Sequence, residues 1–296
     1  GHLNRNVDPA GKAVDDTRRA EWPAIIAKAR KRSCVCPEKP WFRAALDALE
    51  EGLALPFEEA VRAERKHFAP LIEHPNSLNK IDLFLNMTGV APRLAAVAAE
   101  KARPVDALAV MGAGLMGRGI AQVCADAGLR VLLFDVDEAT ARAGRDRIGT
   151  DLEPLVKKGR WTAERREKLL GRIEPVADRR RLARVPLVIE SVFEDLALKR
   201  KVLAEIREAN PDIVFESNTS TLPMNEIAEG SARPELVVGM HYFSPVPLMP
   251  LLEVIRGPRT SEEALATAVA AGRKQKKTVI VVGDGPGFYT SRTFGV

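Results

Sequence analysis

Val110-Met111-Gly112-Ala113-Gly114-Leu115-Met116-Gly117 closes an apolar run and opens a helix-like segment. The stretch fits G-x-G-x-x-G, and an acidic residue, Asp135, stands 18 positions after the last glycine at the end of a second apolar run. The glycine pattern alone is a weak signal, because small-residue turns are common. A strand before it, a helix after it and an acid about 20 residues on turn it into a dinucleotide fingerprint. Gly112 allows the tight turn, Gly114 lets backbone approach a pyrophosphate, and Gly117 lets the helix pack closely on the sheet. Phosphates then sit on the unsatisfied N–H groups of the first helical turn, at Leu115 and Met116. Asp135 accepts hydrogen bonds from an adenosine ribose 2′-hydroxyl and repels a 2′-phosphate. NAD is therefore favoured over NADP.

Outward from this loop, apolar runs alternate with helical patterns, the signature of βαβ units and a parallel sheet. Ala107–Met111 reads as the first strand, Met116–Ala127 as the helix after the loop, and Gly128 as its stop. Val131–Asp135 is the second strand. A charged stretch from Glu138 to Leu182 reads as two helices, an inserted helical hairpin longer than an ordinary crossover. Strands follow at Leu187–Ser191, Ile213–Ser217, Leu236–His241, Leu251–Ile255 and Val279–Val282, with helices at Leu196–Ala209 and Ser261–Arg273. Residues 1–104 read as helical, with segments at Glu21–Arg32, Trp41–Glu51, Pro56–Phe68 and Leu78–Lys101. Pro40, Pro70, Pro75 and Pro92 punctuate them.

Composition sets bounds on function. The chain has 296 residues, 46% hydrophobic and 29% charged, ordinary for a globular protein with one large or two smaller domains. No apolar run approaches the ~20 residues needed to cross a bilayer, and the N-terminus lacks a signal pattern. Three cysteines, Cys34, Cys36 and Cys124, make no disulfide framework and suggest a reducing, cytoplasmic compartment. Cys34-x-Cys36 has no second ligand pair, and His2, His67, His74 and His241 are scattered, so no metal site is expected. The net charge of +5 is spread out, and its densest run, Arg179-Arg180-Arg181 to Arg184, carries no interleaved aromatics. Nucleic-acid binding is not inferred. The chain begins at Gly1 and stops at Arg292-Thr293-Phe294-Gly295-Val296, just after a Gly-Pro-Gly turn, which suggests a piece of a longer protein.

A second constellation belongs to the carboxyl ends of the strands, where open α/β sheets bind ligands. Glu190 and Glu194 follow the third predicted strand, Ser217-Asn218-Thr219-Ser220 the fourth, and His241 ends the fifth. Glu253 lies on the next. An imidazole suits proton abstraction from an alcohol. Glu253 is placed to hold its other ring nitrogen, the logic of a base and its orienting partner. Ser220 is placed to hydrogen-bond the reacting oxygen.

The run from Met111 to Val282 resembles the NAD-binding domain of L-3-hydroxyacyl-CoA dehydrogenases, in the form found in multifunctional fatty-acid oxidation proteins. The matching pieces are the glycine loop, Phe134-Asp135, Glu190-Ser191-Val192-Phe193-Glu194-Asp195 and Asn218-Thr219-Ser220. Gly239-Met240-His241-Tyr242-Phe243-Ser244-Pro245, Leu252-Glu253-Val254-Ile255 and Asp284-Gly285-Pro286-Gly287-Phe288 follow in order. The resemblance implies an α/β Rossmann-type domain with a mostly parallel sheet over residues 105–286, preceded by a helical linker segment. It implies His241 as general base with Glu253 as partner, Ser220 positioning the substrate hydroxyl, and Glu194, Lys199 and Asn218 on the cofactor side. It also implies oxidation of an L-3-hydroxyacyl-CoA to the 3-ketoacyl-CoA. Ser244 and Ser291 stand where the family often has asparagine, and serine reaches less far.

The same resemblance makes residues 1–104 the tail and linker after a crotonase-type hydratase domain. The stretch from Leu83-Phe84-Leu85 to Pro92-Arg93-Leu94 matches the linker helix, and no hydratase core is present, so hydratase activity is not expected. Residues 287–296 are the start of a C-terminal helical domain that in the family covers the acyl-CoA site. A parent protein that is oligomeric and associated with a thiolase is implied. Two alternatives stand beside turnover. One is an NAD-binding module without catalysis. The other is a different hydroxy-acid dehydrogenase on the same scaffold, against which the His-Tyr-Phe-Ser-Pro motif and Glu253 argue.

Overall fold

The computed structural model describes residues 20–33, 39–95 and 99–294. Gly1, His2, Cys34 and Cys36 therefore lie outside the described residues. The chain divides into two compact units, the first ending at Thr88 and the second beginning at Gly89.

The first unit contains helices α1 (Trp22–Ser33), α2 (Pro40–Gly52), α3 (Phe57–Ile72) and the start of α4 (Pro75–Ala95). Pro40 begins α2, where a missing N–H costs nothing. Helices α2 and α3 pack as a hairpin, and a Cβ on Gly52 would stand 3.5 Å from Ala60. His67 and Lys66 of α3 both meet the Glu51 carboxylate of α2, at 2.7 and 3.1 Å. Ile26 and Ala63 are its buried apolar residues among those described, while Phe42, Phe57, Phe68, Leu83, Phe84 and Leu85 are exposed.

In the second unit a 3-10 turn (Ala99–Lys101) precedes β1 (Ala107–Met111). The residues before Pro104 group with this unit, in line with the Arg103 amide donating to Thr267 Oγ1 and its guanidinium pairing with Glu263. From β1 the order is α5 (Leu115–Asp126), β2 (Arg130–Phe134), α6 (Glu138–Lys157), α7 (Ala163–Leu170), β3 (Ile173–Val176) and β4 (Leu187–Glu190). It continues with α8 (Leu196–Ala209), β5 (Val214–Ser217), α9 (Met224–Ile227), β6 (Val237–Tyr242) and β7 (Leu251–Arg256). Last come α10 (Glu262–Lys274), β8 (Thr278–Gly283) and α11 (Thr290–Phe294). Side-chain oxygens of Asp137, Thr162, Asp195 and Ser261 accept from first-turn amides of α6, α7, α8 and α10, which fixes where each begins.

The strands form one sheet in the order β3-β2-β1-β4-β5-β6-β7-β8, parallel throughout except for the antiparallel β6–β7 pair. Successive residues point to opposite faces, and the core divides accordingly. Leu108, Val110, Val131, Leu133, Ile189 and Val238 belong to one buried cluster. Ala109, Met111, Leu132, Phe134, Val188 and Phe215 belong to the other. Burial on both faces explains why these strands are continuously apolar rather than alternating. The chain winds from β1 to β2 and β3 on one side and then returns to β4 on the other. That reversal opens a crevice at the carboxyl ends of β1 and β4.

The α/β reading and the hairpin α6–α7 agree with the sequence expectation. The stretch from Glu138 to Leu182 also holds a strand, β3, that a two-helix reading omits. Ile173-Glu174-Pro175-Val176 contains a proline and a charge. A sheet accepts Pro at an edge, where its missing N–H breaks no ladder, and β3 pairs only with β2. The helix expected over Leu78–Lys101 is α4 followed by the separate 3-10 turn.

Candidate active site

The glycine loop joins β1 to α5 at the crevice. Gly112 has φ +98°, and a Cβ there would lie 2.7 Å from the Ser191 carbonyl oxygen. A Cβ on Gly117 would lie 1.8 Å from the Gly112 carbonyl oxygen, so only glycine lets α5 begin this close to the loop. Gly114 is different. A Cβ there would meet nothing within 4 Å, so the space beside it is open to a ligand. Gly114 is also the N-cap of α5 and supplies no side-chain cap. The first-turn N–H groups of Leu115 and Met116 thus keep their capacity to bind an anion.

Asp135 follows β2 and bends back over the loop. Its Oδ2 accepts from the Ala113 amide at 2.6 Å and its Oδ1 from the Val136 amide at 2.7 Å. A carboxylate fixed at the rim can accept from a ribose hydroxyl and opposes a second negative charge. An open groove over an uncapped helix start, with an acceptor-only group beside it, fits NAD. Glycines 112, 114 and 117, Leu115, Met116 and Asp135 are the residues that would hold it.

Next to the loop lies a cleft of about 330 Å³ lined by Met116, Ser191, Val192, Glu194, Asn218, Ser220, His241, Tyr242, Phe243 and Ser244. Six positions expected from sequence thus meet in one space: Met116, Glu194, Asn218, Ser220, His241 and Ser244. Antiparallel register sets His241 of β6 directly opposite Glu253 of β7, and opposite residues project to the same face. His241 Nδ1 lies 2.7 Å from Glu253 Oε2, with His241 5% exposed and Glu253 fully buried. The Thr290 amide and hydroxyl donate to Glu253 Oε1 and Oε2, each at 2.9 Å. Burial alone would raise the Glu253 carboxyl, but the bonds from His241 and Thr290 outweigh it and hold it below the usual value. Glu253 is therefore an ionised acceptor. An ionised carboxylate can only accept, so the bond to it calls for a proton on His241 Nδ1. Phe243 and Phe288 flank the imidazole at centroid distances of 4.5 and 5.9 Å.

A second carboxylate organises the opposite wall. Glu194 Oε1 accepts from Thr219 Oγ1 at 2.6 Å and from the amides of Ser220 and Thr221 at 2.9 and 3.2 Å. Burial pushes its carboxyl up, yet these donors and the nearby Lys199 ammonium bring it below its ordinary value. Lys199 is fully buried rather than facing the cleft. Its Nζ donates to Glu190 Oε1 at 2.8 Å and lies 3.4 Å from Glu194. Glu190 also accepts from Ser217 Oγ at 2.6 Å and from the Val192 amide at 2.8 Å. Asn218 Oδ1 accepts from the Tyr242 amide at 2.9 Å, which ties the end of β5 to β6. Ser291 lies in α11 and is not among the residues lining the cleft.

Thr219, Ser217 and Thr290 are the contributors the sequence reading passed over. Thr219 and Ser217 stand inside the quoted Ser217-Asn218-Thr219-Ser220 run, where a hydroxyl-rich strand end is a usable signal. Thr290 carried no such signal, because its contact with Glu253 spans 37 positions. Among the described residues no group of three His, Cys, Asp or Glu could hold a metal ion. No helix among them is long and apolar enough to cross a membrane.

Comparison with known proteins identifies the family. The chain is 37% identical over 269 residues to the fatty acid oxidation complex subunit alpha of Psychrobacter arcticus, covering 90% of this chain and 37% of that protein. It spans little more than a third of the curated relatives it matches. Among solved structures, M. tuberculosis FadB2 superposes with a TM-score of 0.62 at 38% identity, over 64% of this chain and 68% of that one. (S)-3-hydroxybutyryl-CoA dehydrogenase PaaH1 from Ralstonia eutropha gives 0.63 at 34% identity, with the same coverage. The family described as 3-hydroxyacyl-CoA dehydrogenase, NAD binding domain, matches residues 107–285, and the chain belongs to that family.

Proposed function

We propose that this chain carries the NAD-dependent oxidation of an L-3-hydroxyacyl-CoA to the 3-ketoacyl-CoA, a step of fatty-acid β-oxidation. The observation that carries the reading is the buried His241–Glu253 pair at the wall of a cleft beside the glycine loop. His241 Nε2 takes the proton of the substrate hydroxyl. Glu253 stabilises the imidazolium that forms, as an ionised partner does for a base. Ser220 hydrogen-bonds the reacting oxygen, Ser244 of the cleft wall contacts the acyl-CoA, and Ser291 of α11, outside that wall, is a further substrate contact. Bound NAD supplies the hydride acceptor. Glu194, Asn218 and, through Glu194, Lys199 fix the wall against which the nicotinamide end rests.

The parent protein is oligomeric, cytoplasmic and associated with a thiolase. Residues 1–104 serve as the tail and linker of a preceding hydratase domain. Residues 287–296 begin the C-terminal helical domain that completes the acyl-CoA pocket. Relatives named as alpha subunits of a fatty acid oxidation complex support a parent that works within a complex.

Calorimetric titration of the chain with NADH and separately with NADPH tests the cofactor reading. NADH should bind and NADPH should not. Asp135→Ala should erase the preference, a loss of roughly 1.5–3 kcal/mol for a charged hydrogen bond, or roughly 10- to 150-fold in Kd. Acetoacetyl-CoA reduction by NADH then separates turnover from cofactor binding alone. Binding without turnover, unchanged in His241→Gln, means this chain acts as a cofactor module only.

A further inference from the structure

We propose that Thr290 is a positioning residue for the His241–Glu253 pair, acting through both oxygens of the Glu253 carboxylate. The inference deepens the function proposed above and rests on it.

A carboxylate offers two oxygens and about four lone-pair sites. Here Oε1 accepts from the Thr290 amide at 2.9 Å, while Oε2 accepts from both His241 Nδ1 at 2.7 Å and the Thr290 hydroxyl at 2.9 Å. One residue thus grips both oxygens, from its main chain and its side chain. The last torsion of a glutamate is broad and weakly held by itself. Two donors from a single rigid residue fix that torsion and set Oε2 toward the imidazole. The carboxylate's two other partners are both donors, so Glu253 stays an acceptor and favours the imidazole tautomer that carries its proton on Nδ1.

The hydroxyl has a second effect. It shares Oε2 with His241 and draws part of that oxygen's charge, which tempers the bond to Nδ1–H. The preceding turn is built to deliver this contact. Gly287 and Phe288 take φ values of +72° and +49°, the latter a conformation uncommon for a side chain of this size. Phe288 is 2% exposed, with its ring against His241. The turn is anchored at its start by Asp284, whose carboxylate accepts from the amides of Met224 and Asn225 at 2.8 and 2.9 Å. The same segment therefore packs the imidazole and orients its partner.

The test is NMR of the chain itself, following the His241 Hδ1 proton and the ring nitrogen shifts in Thr290→Val, Thr290→Ala and Thr290→Ser, with His241→Gln for assignment. With the Thr290 amide still holding the torsion through Oε1, losing the hydroxyl should free Oε2 of its competing donor, strengthen the Nδ1–H bond to Glu253 and move Hδ1 downfield, with a matching change at Nδ1. Thr290→Ser should restore the original positions, and Glu253→Gln should abolish the signature. The nitrogen shifts report the same change if Hδ1 exchanges too fast to see. Thr290→Ala removes the hydroxyl with less bulk if the valine is not accommodated. Unchanged imidazole signals in a folded Thr290→Val or Thr290→Ala variant overturn the proposal, as does a serine variant that behaves like valine. Absence of turnover with acetoacetyl-CoA leaves these spectra unaffected and counts only against the function proposed above.

Discussion

Replacing Glu216 by glutamine should remove a pH-dependent loss of stability lodged in the centre of the sheet. Glu216 lies on β5 between Ile189 of β4 and Val238 of β6, fully buried, and neither carboxyl oxygen has a hydrogen-bond partner. The ionisable groups that feel its charge are the buried Cys124 thiol of α5 and the Tyr242 hydroxyl of β6, both themselves pushed up mainly by burial. The Lys277 ammonium is taken by the carbonyls of Val246 and Met249. Among the described residues no cation compensates the carboxylate, and burial raises it well above its ordinary value of 4.5. The sign follows from proton counting. Above pH 4.5 the unfolded chain releases this proton while the folded chain keeps it, so stability falls as pH rises. The loss is about 1.4 kcal/mol per pH unit for as long as the folded acid stays protonated. Denaturant unfolding of the wild type and Glu216→Gln, measured in steps from pH 5 to pH 8, reads the difference directly. Contributions from other groups cancel. The glutamine variant should gain on the wild type by that slope. Glu216→Met should gain a further ~1–3 kcal/mol at every pH, because it also removes the two unpaired buried polar atoms that glutamine keeps. Parallel pH curves for wild type and Glu216→Gln would refute the assignment of a protonated, uncompensated acid.

Two further outcomes separate fold from site. Gly117→Ala should destabilise by more than ~3 kcal/mol in thermal or denaturant melts, since its Cβ would collide with backbone at 1.8 Å. Gly114→Ala should cost no more than ~1 kcal/mol in the melt, the effect of alanine at an N-cap, yet lose NADH in calorimetry, because the proposed cofactor site takes its open space. Lys199→Met should cost about 3–5 kcal/mol by leaving the Glu190 carboxylate buried without its cation. Adding Glu190→Gln should return part of that loss, and additive costs in the double variant would show the pair to be uncoupled.

How far the sequence revealed all this depends on how local each signal was. The glycine loop and Asp135 are separated by one βα unit, and each glycine answers a short-range demand of the backbone. That much was legible. His241 and Glu253 stand 12 residues apart, and their pairing needed only the guess that two adjacent apolar runs carry them to one edge. The antiparallel turn of β7 in an otherwise parallel sheet is what makes them direct neighbours, and nothing in either run announces direction. β3 was hidden because its composition is tuned to an edge, where proline and charge are permitted, rather than to a core. Thr290 was hidden for a different reason. A threonine beyond a Pro-Gly-Phe turn has no chemical identity until the fold places it against Glu253. Glu216 is the reverse case: in sequence it reads as one acid among many, and only burial without a partner gives it meaning. Long-range polar contacts are where one sequence reads least clearly, because periodicity reports which face a residue takes and not what waits across from it. For this chain such contacts gather at the candidate site, so its residue types and the pairing of His241 with Glu253 were readable, while the grip of Thr290 on both oxygens of that carboxylate was not.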